Sequence, residues 1–187
     1  MRLHFAATLL ALAGFVSPLV AQQRLLPAQS EITFTSKQMG VPVQGRFRSF
    51  EAQVEFDPKQ PEAAKIALRI DLASVAIGTA ETEAELAKPG WFDTRKFPQA
   101  SFTSSSVKPV GAGRFDVAGK LTLKGTNRDL VVPVTLQRAG DITTASGSFT
   151  IRRLDYRIGD GDWGDTSLVA DEVLVKFKLA LAGVAAP

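Results

Sequence analysis

The amino-acid sequence predicts an all-β protein of about eight antiparallel strands, closed as a barrel or stacked as a sandwich, with one short helix. Several segments alternate apolar and polar residues with a period of two, which is typical of strands that have one face in water. Glycine-containing turns separate successive segments, and only one stretch has a helical pattern. These three observations favour hairpin-connected strands around a single core.

The chain begins with features of a secretory leader. Arg2 precedes an apolar run over residues 3–20, and Ala21 provides a small residue at the cleavage position. We therefore predict a signal peptide at residues 1–21 and one exported domain at residues 22–187. A retained membrane anchor is the alternative, but Ser17-Pro18 interrupts a run that is already short against the roughly 20 residues of a membrane span. We expect no stable membrane insertion once the leader is removed.

The composition excludes many catalytic and metal sites. The chain has no cysteine, and its single histidine, His4, lies in the predicted leader. The exported domain therefore has no disulfide, no thiolate nucleophile and no imidazole base or metal ligand. Export without disulfides suits the bacterial periplasm. The net charge of +3 gives no reason to expect nucleic acid as a partner, and we expect no catalytic residue and no metal.

Apolar positions mark the inward faces of the predicted strands in order. Between residues 43 and 56 these positions change from odd to even, which predicts a β-bulge near Arg48-Ser49. Residues 65–72, 114–124 and 173–179 alternate regularly. Turns around Gly125 and Gly140 predict two antiparallel hairpins. Pro133 requires a strand edge, a bulge or a strand start, and the residues after Ala180 are expected to fray.

Only residues 80–88 have a helical pattern. Glu81, Glu83 and Glu85 lie near the start of this segment, and Pro89-Gly90 ends it. Trp91 and Phe92 follow directly, and they form either a lid over one end of the barrel or a plug that closes its core.

The inward positions admit two interpretations. Eight strands enclose just enough space for packed side chains or for one slender ligand, and each inward residue suits either role. Gly45 and Gly119 favour a cavity because they leave volume that a filled barrel would use. The candidate pore-lining residues are Phe34, Phe47, Phe50, Ile66, Leu68, Ile70, Trp91, Phe92, Phe102, Phe115, Val117, Leu121, Phe149, Val175 and Phe177.

Two groups of charged residues are candidate polar sites. Asp160, Asp162 and Asp165 lie in a glycine-rich loop, which fits a calcium-binding module, a carboxylate-dependent hydrolase or a solvated turn, although the loop lacks the ligand order of an EF-hand. The basic group either contacts a ligand headgroup at a barrel mouth or is ordinary outward charge. Its members are Lys37, Arg46, Arg152, Arg153 and Arg157.

Four segments have the order and spacing of one known family. The first comprises SEITF at residues 30–34 and VxGxFxxF at residues 43–50. The second begins with WFDT at residues 91–94, continues with KFP at residues 96–98 and ends at residue 104. The third is GKLTLKG at residues 119–125, and the fourth is the closing strand over residues 171–179. In these segments the chain resembles the YceI family, the exported lipid- or polyisoprenoid-binding proteins. The resemblance implies an eight-stranded lipocalin-like barrel whose apolar pore holds an isoprenoid lipid, of the quinone or prenyl phosphate type. It also implies a homodimer.

The chain departs from this family at two positions. Many relatives carry a histidine where this chain has Gln38, and an Asp-x-His-Leu pattern where it has residues 83–86, Glu-Ala-Glu-Leu. The resemblance therefore carries no imidazole contact or chemistry onto this chain. Three hypotheses follow: an isoprenoid-binding protein without enzymatic activity, a hydrolase or calcium module at the aspartate loop, and a structural or interaction domain with a filled core.

Overall fold

The computed structural model of the protein describes residues 23–184. The predicted signal peptide at residues 1–21 and the last three residues of the chain lie outside this range. Within residues 23–184, no helix has the length and apolar character needed to cross a membrane.

Eleven β-strand segments form one antiparallel sheet. They are β1 (Arg24–Leu25), β2 (Glu31–Gln38), β3 (Val41–Phe47), β4 (Phe50–Glu55), β5 (Lys65–Asp71), β6 (Val75–Ala76), β7 (Gln99–Gly111), β8 (Arg114–Leu123), β9 (Thr126–Ala139), β10 (Ile142–Arg152) and β11 (Glu172–Ala182). The α-helix of the described residues, α1, spans Ala80–Leu86. Short 3-10 helices lie at Pro27–Gln29, Pro61–Ala63, Leu72–Ser74, Arg153–Tyr156 and Gly161–Trp163.

The sheet closes into a barrel at a corner made by two bent strands. One bent strand consists of β3 and β4, and the other of β5 and β6; β3 pairs with β6, and β4 pairs with β5. Between the two ladders, the Arg48 N–H donates to the Ser74 carbonyl and the Asp71 N–H donates to the Ser49 carbonyl, both over 3.1 Å. The antiparallel barrel with one short helix is therefore confirmed. It has eleven strand segments rather than eight because both corner strands break and because the short β1 pairs with β11.

The predicted phase change between β3 and β4 is real, but its cause is a strand break and not a bulge. Arg48 and Ser49 leave the strand altogether, and the chain resumes as β4 with a different partner. Ala52 and Val54 of β4 then line the barrel interior. A corner is required here because the two ladders run in different directions around the barrel.

Both predicted hairpins are confirmed. Lys124 and Gly125 join β8 to β9 with φ angles of 48° and 73°, which are the positive values that a tight two-residue hairpin turn needs. Gly140, with φ of 60°, begins the turn between β9 and β10. The β9–β10 ladder stops at the pair Val134–Gly147, one residue before Pro133. Pro133 has no N–H to donate, so its place beyond the end of this ladder costs no hydrogen bond there.

The predicted start of the helix is confirmed, whereas the predicted fraying of the chain end is wrong for the residues that the structure describes. Helix α1 starts at Ala80 as predicted, capped by the Thr79 side chain, which accepts a hydrogen bond from the Thr82 N–H over 3.4 Å. The expectation of a frayed end after Ala180 is wrong for residues 181–184. Leu181 is 5 % exposed and Val184 is 4 % exposed, because both side chains pack into the barrel core.

The connections between the strands lie at the two opposite ends of the barrel. Helix α1, the β2–β3 and β8–β9 turns and the segment between β10 and β11 lie at one end, which we call the wide end. The β7–β8 and β9–β10 turns and strand β1 lie at the other, the narrow end. Each end has its own cluster of buried apolar side chains, and Phe102 packs against both clusters.

Candidate functional site

Two cavities follow one another along the barrel. The wide chamber at the wide end has a volume of about 430 Å³, and the narrow chamber has a volume of about 140 Å³. They share five lining residues and therefore lie next to each other along the barrel, and we call the two chambers together the lumen. The shared residues, which we call the waist, are Ile32, Ile70, Leu121, Phe149 and Val175.

The structure brings almost all of the predicted pore residues together around this lumen. Phe34, Phe47, Trp91 and Phe92 line the wide chamber, and Ile66, Leu68, Phe102, Phe115, Val117 and Phe177 line the narrow chamber. Ile70, Leu121, Phe149 and Val175 lie at the waist. Their contact with a ligand stays a prediction.

Phe50 is the exception among the predicted pore residues. It is the first residue of β4, directly after the strand break, and it pairs with Ile70. Its half-buried ring lines neither chamber. A sharp change of strand direction re-aims the adjacent side chain, which the alternation of the sequence does not reveal.

Three phenylalanine rings lie against the barrel wall over glycines. Phe34 faces Gly45 on the neighbouring strand, and a Cβ atom on Gly45 would collide with the Phe34 ring. The same arrangement places Phe102 over Gly119 and Phe177 over Gly147. The expectation that Gly45 and Gly119 leave empty volume is therefore wrong. Phenylalanine rings fill that volume, and the lumen stays open because they lie close to the backbone of the wall.

Polar side chains line the wide chamber near its opening. Gln38 and Glu81 are exposed and also line the chamber, so this chamber reaches the solvent. Glu85 forms a salt bridge with Lys88 over 2.5 Å, and a hydrogen bond with Thr79 lowers the pKa of Glu81. Gln38 and Glu85 are the positions at which the resemblance leads one to expect histidines. The opening therefore presents an amide and carboxylates at these positions.

Trp91 and Phe92 combine the two roles considered for them. They are 9 % and 8 % exposed and belong to the buried cluster of the wide end, yet both line the wide chamber. The rings of Trp91 and Trp163 lie 5.7 Å apart. The indole Nε1 of Trp91 is buried and has no hydrogen-bond partner among the described protein atoms. An unpaired buried donor costs free energy unless an acceptor reaches it.

Arg153 differs from the other four basic residues of the group because its side chain is buried. It is 2 % exposed and lines the wide chamber, whereas the sequence favoured ordinary outward charge. All five N–H donors of its guanidinium are used, and burial lowers its pKa while the nearby Asp171 acts in the opposite direction. The acceptors are the carbonyl oxygens of Ala170 (3.1 Å), Ile158 (2.9 Å), Gly159 (2.5 Å), Trp163 (2.7 Å) and Val169 (2.7 Å).

Arg153 therefore organises the segment that covers the wide chamber. Its acceptors lie between β10 and β11, and Ile158, Trp163 and Val169 themselves line the chamber. Because no N–H remains for a ligand, Arg153 acts on the chamber by holding its wall. The other four basic residues of the group are exposed, as ordinary outward charge predicts: Lys37, Arg46, Arg152 and Arg157.

The aspartate loop does not form a metal site. Within residues 23–184 no group of three histidine, cysteine, aspartate or glutamate side chains is placed to hold a metal ion. Asp165 instead accepts a hydrogen bond from the Ser167 N–H over 2.8 Å. Hydrogen bonding from the Ser167 side chain and backbone lowers the pKa of its carboxyl group. Asp160 and Asp162 flank the short 3-10 helix Gly161–Trp163 and are exposed. The geometry therefore gives the calcium hypothesis no support.

Sequence patterns missed part of the chamber wall. Ile77, Ile158 and Val169 are buried and line the wide chamber, although none lies in a regularly alternating strand. They sit in the connections after β6 and β10, where no period of two or 3.6 reports which way a side chain points.

Three comparisons place these features among known proteins. The sequence profile of the YceI-like domain matches residues 24–181. Protein YceI of Salmonella newport is 37 % identical over 97 residues, which are 52 % of this chain and 50 % of that protein. The chain thus spans about half the length of the curated relatives it matches.

The solved structures agree with the fold. BcnA of Burkholderia cenocepacia is 41 % identical with a TM-score of 0.81, over 83 % of this chain and 98 % of that chain. A polyisoprenoid-binding domain of Saccharophagus degradans, implicated in plant cell wall breakdown, has a TM-score of 0.69 at 20 % identity, over 86 % of this chain and 98 % of its own. Since the profile match covers nearly the whole barrel, the chain belongs to the YceI-like family.

Proposed function

We propose that the protein binds an isoprenoid lipid of the quinone or prenyl phosphate type in its lumen, and that it does so without enzymatic activity. The observation that carries the proposal is the pair of chambers, which follow one another along the barrel, share the waist residues and are lined mostly by apolar side chains. A slender chain suits this elongated arrangement, whereas a compact ligand would fill only the wide chamber. The polyisoprenoid binding of the Saccharophagus degradans domain supports this choice of ligand class.

The energetics favour retention of a long chain. Apolar surface removed from water contributes about 25 cal/mol per Å², and the waist and narrow chamber offer almost entirely apolar side chains. The polar groups at the opening of the wide chamber would then contact the headgroup. Cavities of this size also argue against the hypothesis of a filled structural core, since close-packed interiors leave few voids larger than a water molecule.

Extraction of the purified protein tests the proposal. The mature chain is expressed in a bacterial periplasm, purified, extracted with organic solvent and analysed by mass spectrometry. We expect an isoprenoid lipid in a stoichiometric amount. Absence of any isoprenoid lipid from wild-type protein, both as purified and after incubation with ubiquinone or undecaprenyl phosphate, would contradict the proposal.

A matched pair of variants locates the lipid. Val175→Phe adds a ring at the waist, whereas Val131→Phe adds the same ring at a position that is 57 % exposed on the outside of the barrel. We expect the first variant to lose bound lipid and the second to retain it. Equal loss or equal retention in both folded variants would place the lipid outside the lumen.

Export to the periplasm is part of the same proposal. It is supported by the leader-like pattern of residues 1–21. Cell fractionation followed by N-terminal sequencing of the mature protein checks it. We expect periplasmic protein that begins at Gln22, and cytoplasmic protein that retains Arg2 would contradict export.

The homodimer is also proposed, on the resemblance to the family. Sedimentation velocity of the purified mature chain tests it, and we expect a species of twice the chain mass. A single monomeric species at all concentrations would contradict it.

A further inference from the structure

Two buried aromatic rings meet at the narrow end of the lumen. Phe56 and Phe115 meet edge to face, with ring centroids 5.2 Å apart and an interplanar angle of 86°. They are 8 % and 6 % exposed, and both line the narrow chamber. Phe56 follows β4, and Phe115 is the second residue of β8, so the pair lies at the end of the barrel opposite the exposed Gln38 and Glu81.

The backbone around this pair is held in place. The side-chain amide of Gln23 accepts a hydrogen bond from the Phe56 N–H over 2.9 Å and donates one to the Phe56 carbonyl over 2.7 Å. Val184, which lines the same chamber, has its carbonyl bound by the Arg138 guanidinium over 3.0 Å. Gln23 and Val184, the first and last described residues, are thus both held by hydrogen bonds near this aromatic pair.

We propose that Phe56 and Phe115 form a stop that sets the longest isoprenoid tail the protein can bury. The inference rests on the proposed function. Exposed residues line the wide chamber, whereas the Phe56–Phe115 pair is buried at the narrow end, so a chain that enters tail first from the wide chamber advances until it meets the two rings. Each methylene buried on the way gains about fourfold in affinity, whereas a unit added after contact with the stop remains at the opening and gains nothing.

A homologous series of prenyl alcohols tests the stop. Geraniol, farnesol, geranylgeraniol, longer homologues and solanesol are mixed in equal amounts with delipidated mature protein, and the complexes are quantified by native mass spectrometry. For the wild type we expect binding to rise with chain length up to one homologue and then to level off or fall. In Phe115→Leu and Phe56→Leu we expect that limit to move to a longer homologue, because the smaller side chain frees space at the end of the lumen.

A matched control separates length selection from general loss of packing. Phe92→Leu makes the same change at an equally buried residue that lines the wide chamber. It should lower the affinity for all homologues by a similar factor and leave the limit in place. Thermal unfolding verifies that each variant is folded, and the two stop variants are independent, so that one can serve if the other fails to fold.

The outcomes distinguish the stop from the proposed function. Wild-type binding that levels off at one homologue, with the same limit in both folded stop variants, would overturn the stop and leave isoprenoid binding intact. A shift of the limit in Phe92→Leu equal to that in the stop variants would also overturn it. Failure of every homologue to bind wild-type protein would contradict the proposed function, and the stop with it.

Discussion

The Nη2 atom of Arg153 donates a hydrogen bond of 2.7 Å to the carbonyl oxygen of Val169. This bond joins the end of β10 to the segment that precedes β11, across the opening of the wide chamber. Four more bonds from the same guanidinium reach carbonyl oxygens of that segment. One buried cation therefore holds a connection that otherwise contains only two short 3-10 helices and the isolated bridge between Gln38 and Val169.

Arg153→Lys should destabilise the protein strongly. A lysine has three donors in place of five, so at least two buried carbonyl oxygens lose their partners, at about 1–3 kcal/mol each. We expect the free energy of unfolding in urea to fall by about 2–6 kcal/mol. Arg152→Lys, at the exposed neighbouring position, is the control and should change it by less than about 0.5 kcal/mol. Equal effects of the two substitutions would contradict the role of Arg153.

Gly45→Ala should obstruct the wide chamber. The new Cβ atom would occupy the place of the Phe34 ring, so the ring must move into the chamber, at a cost of about 1–3 kcal/mol in stability. We expect weaker binding of geranylgeraniol, measured by native mass spectrometry. The double variant Gly45→Ala, Phe34→Val removes the displaced ring and should restore binding. Unchanged binding in Gly45→Ala would show that the Phe34 ring is not held against the wall.

Ionisation of the Tyr156 phenol should lower the free energy of unfolding at alkaline pH. Its side chain is buried at 3 % exposure, and burial raises the pKa of the phenol above its ordinary value of 10.0. The folded state therefore favours the neutral phenol, and the stability that this form contributes is present below the unfolded pKa and is lost as the pH rises through the folded pKa. Tyr156→Phe has no such loss, so the stability of wild type relative to this variant should fall above about pH 10.

The stability of wild type must be compared with that of Tyr156→Phe, because Lys124 changes the stability in the opposite direction as the pH rises. Burial lowers the pKa of Lys124, so its contribution to stability improves as the pH rises. Tyr156 is the single tyrosine of the chain, so tyrosinate absorbance reports its titration directly. A phenol that titrates in the folded protein at or below its ordinary value would contradict the prediction.

Calcium should leave the thermal stability unchanged. A calcium site occupied at 100 times its Kd would stabilise the fold by about 2.7 kcal/mol, which is a shift of several degrees in Tm. Because Asp160, Asp162 and Asp165 do not form a ligand group, we expect the same Tm in excess calcium and in chelator. The variant with all three residues changed to asparagine should behave identically. A calcium-dependent rise in Tm that this variant lacks would revive the metal hypothesis.

The candidate site was predictable where it lies on regular strands. Val117 and Leu121 of β8, or Ile66 and Leu68 of β5, point inward because successive side chains of a strand alternate between its faces. The same alternation predicted Phe50 wrongly, because Phe50 directly follows the break between β3 and β4 and the alternation starts again there. The wall formed by Ile158 and Val169 was missed because irregular backbone has no period.

The packing over the inward glycines could not be predicted from one strand alone. The sequence places Gly45 on an inward face, but the volume above it depends on which residue of the adjacent strand lies opposite. The register Phe34–Gly45 places a ring there, and the two-residue turn at Met39-Gly40 sets that register.

The sequence by itself determined the all-β class, the hairpins at Gly125 and Gly140, most of the apolar lining, and the lack of any thiol or imidazole in the domain. These are local properties, set by alternation, turn chemistry and composition. The tertiary structure decided that the lining encloses two adjacent chambers, that Phe56 and Phe115 meet at the narrow end, and that Arg153 is buried. Each of these depends on contacts between residues that are not neighbours in the chain, such as Gln23 with Phe56 and Arg153 with Val169, and no local alternation or turn pattern specifies such contacts.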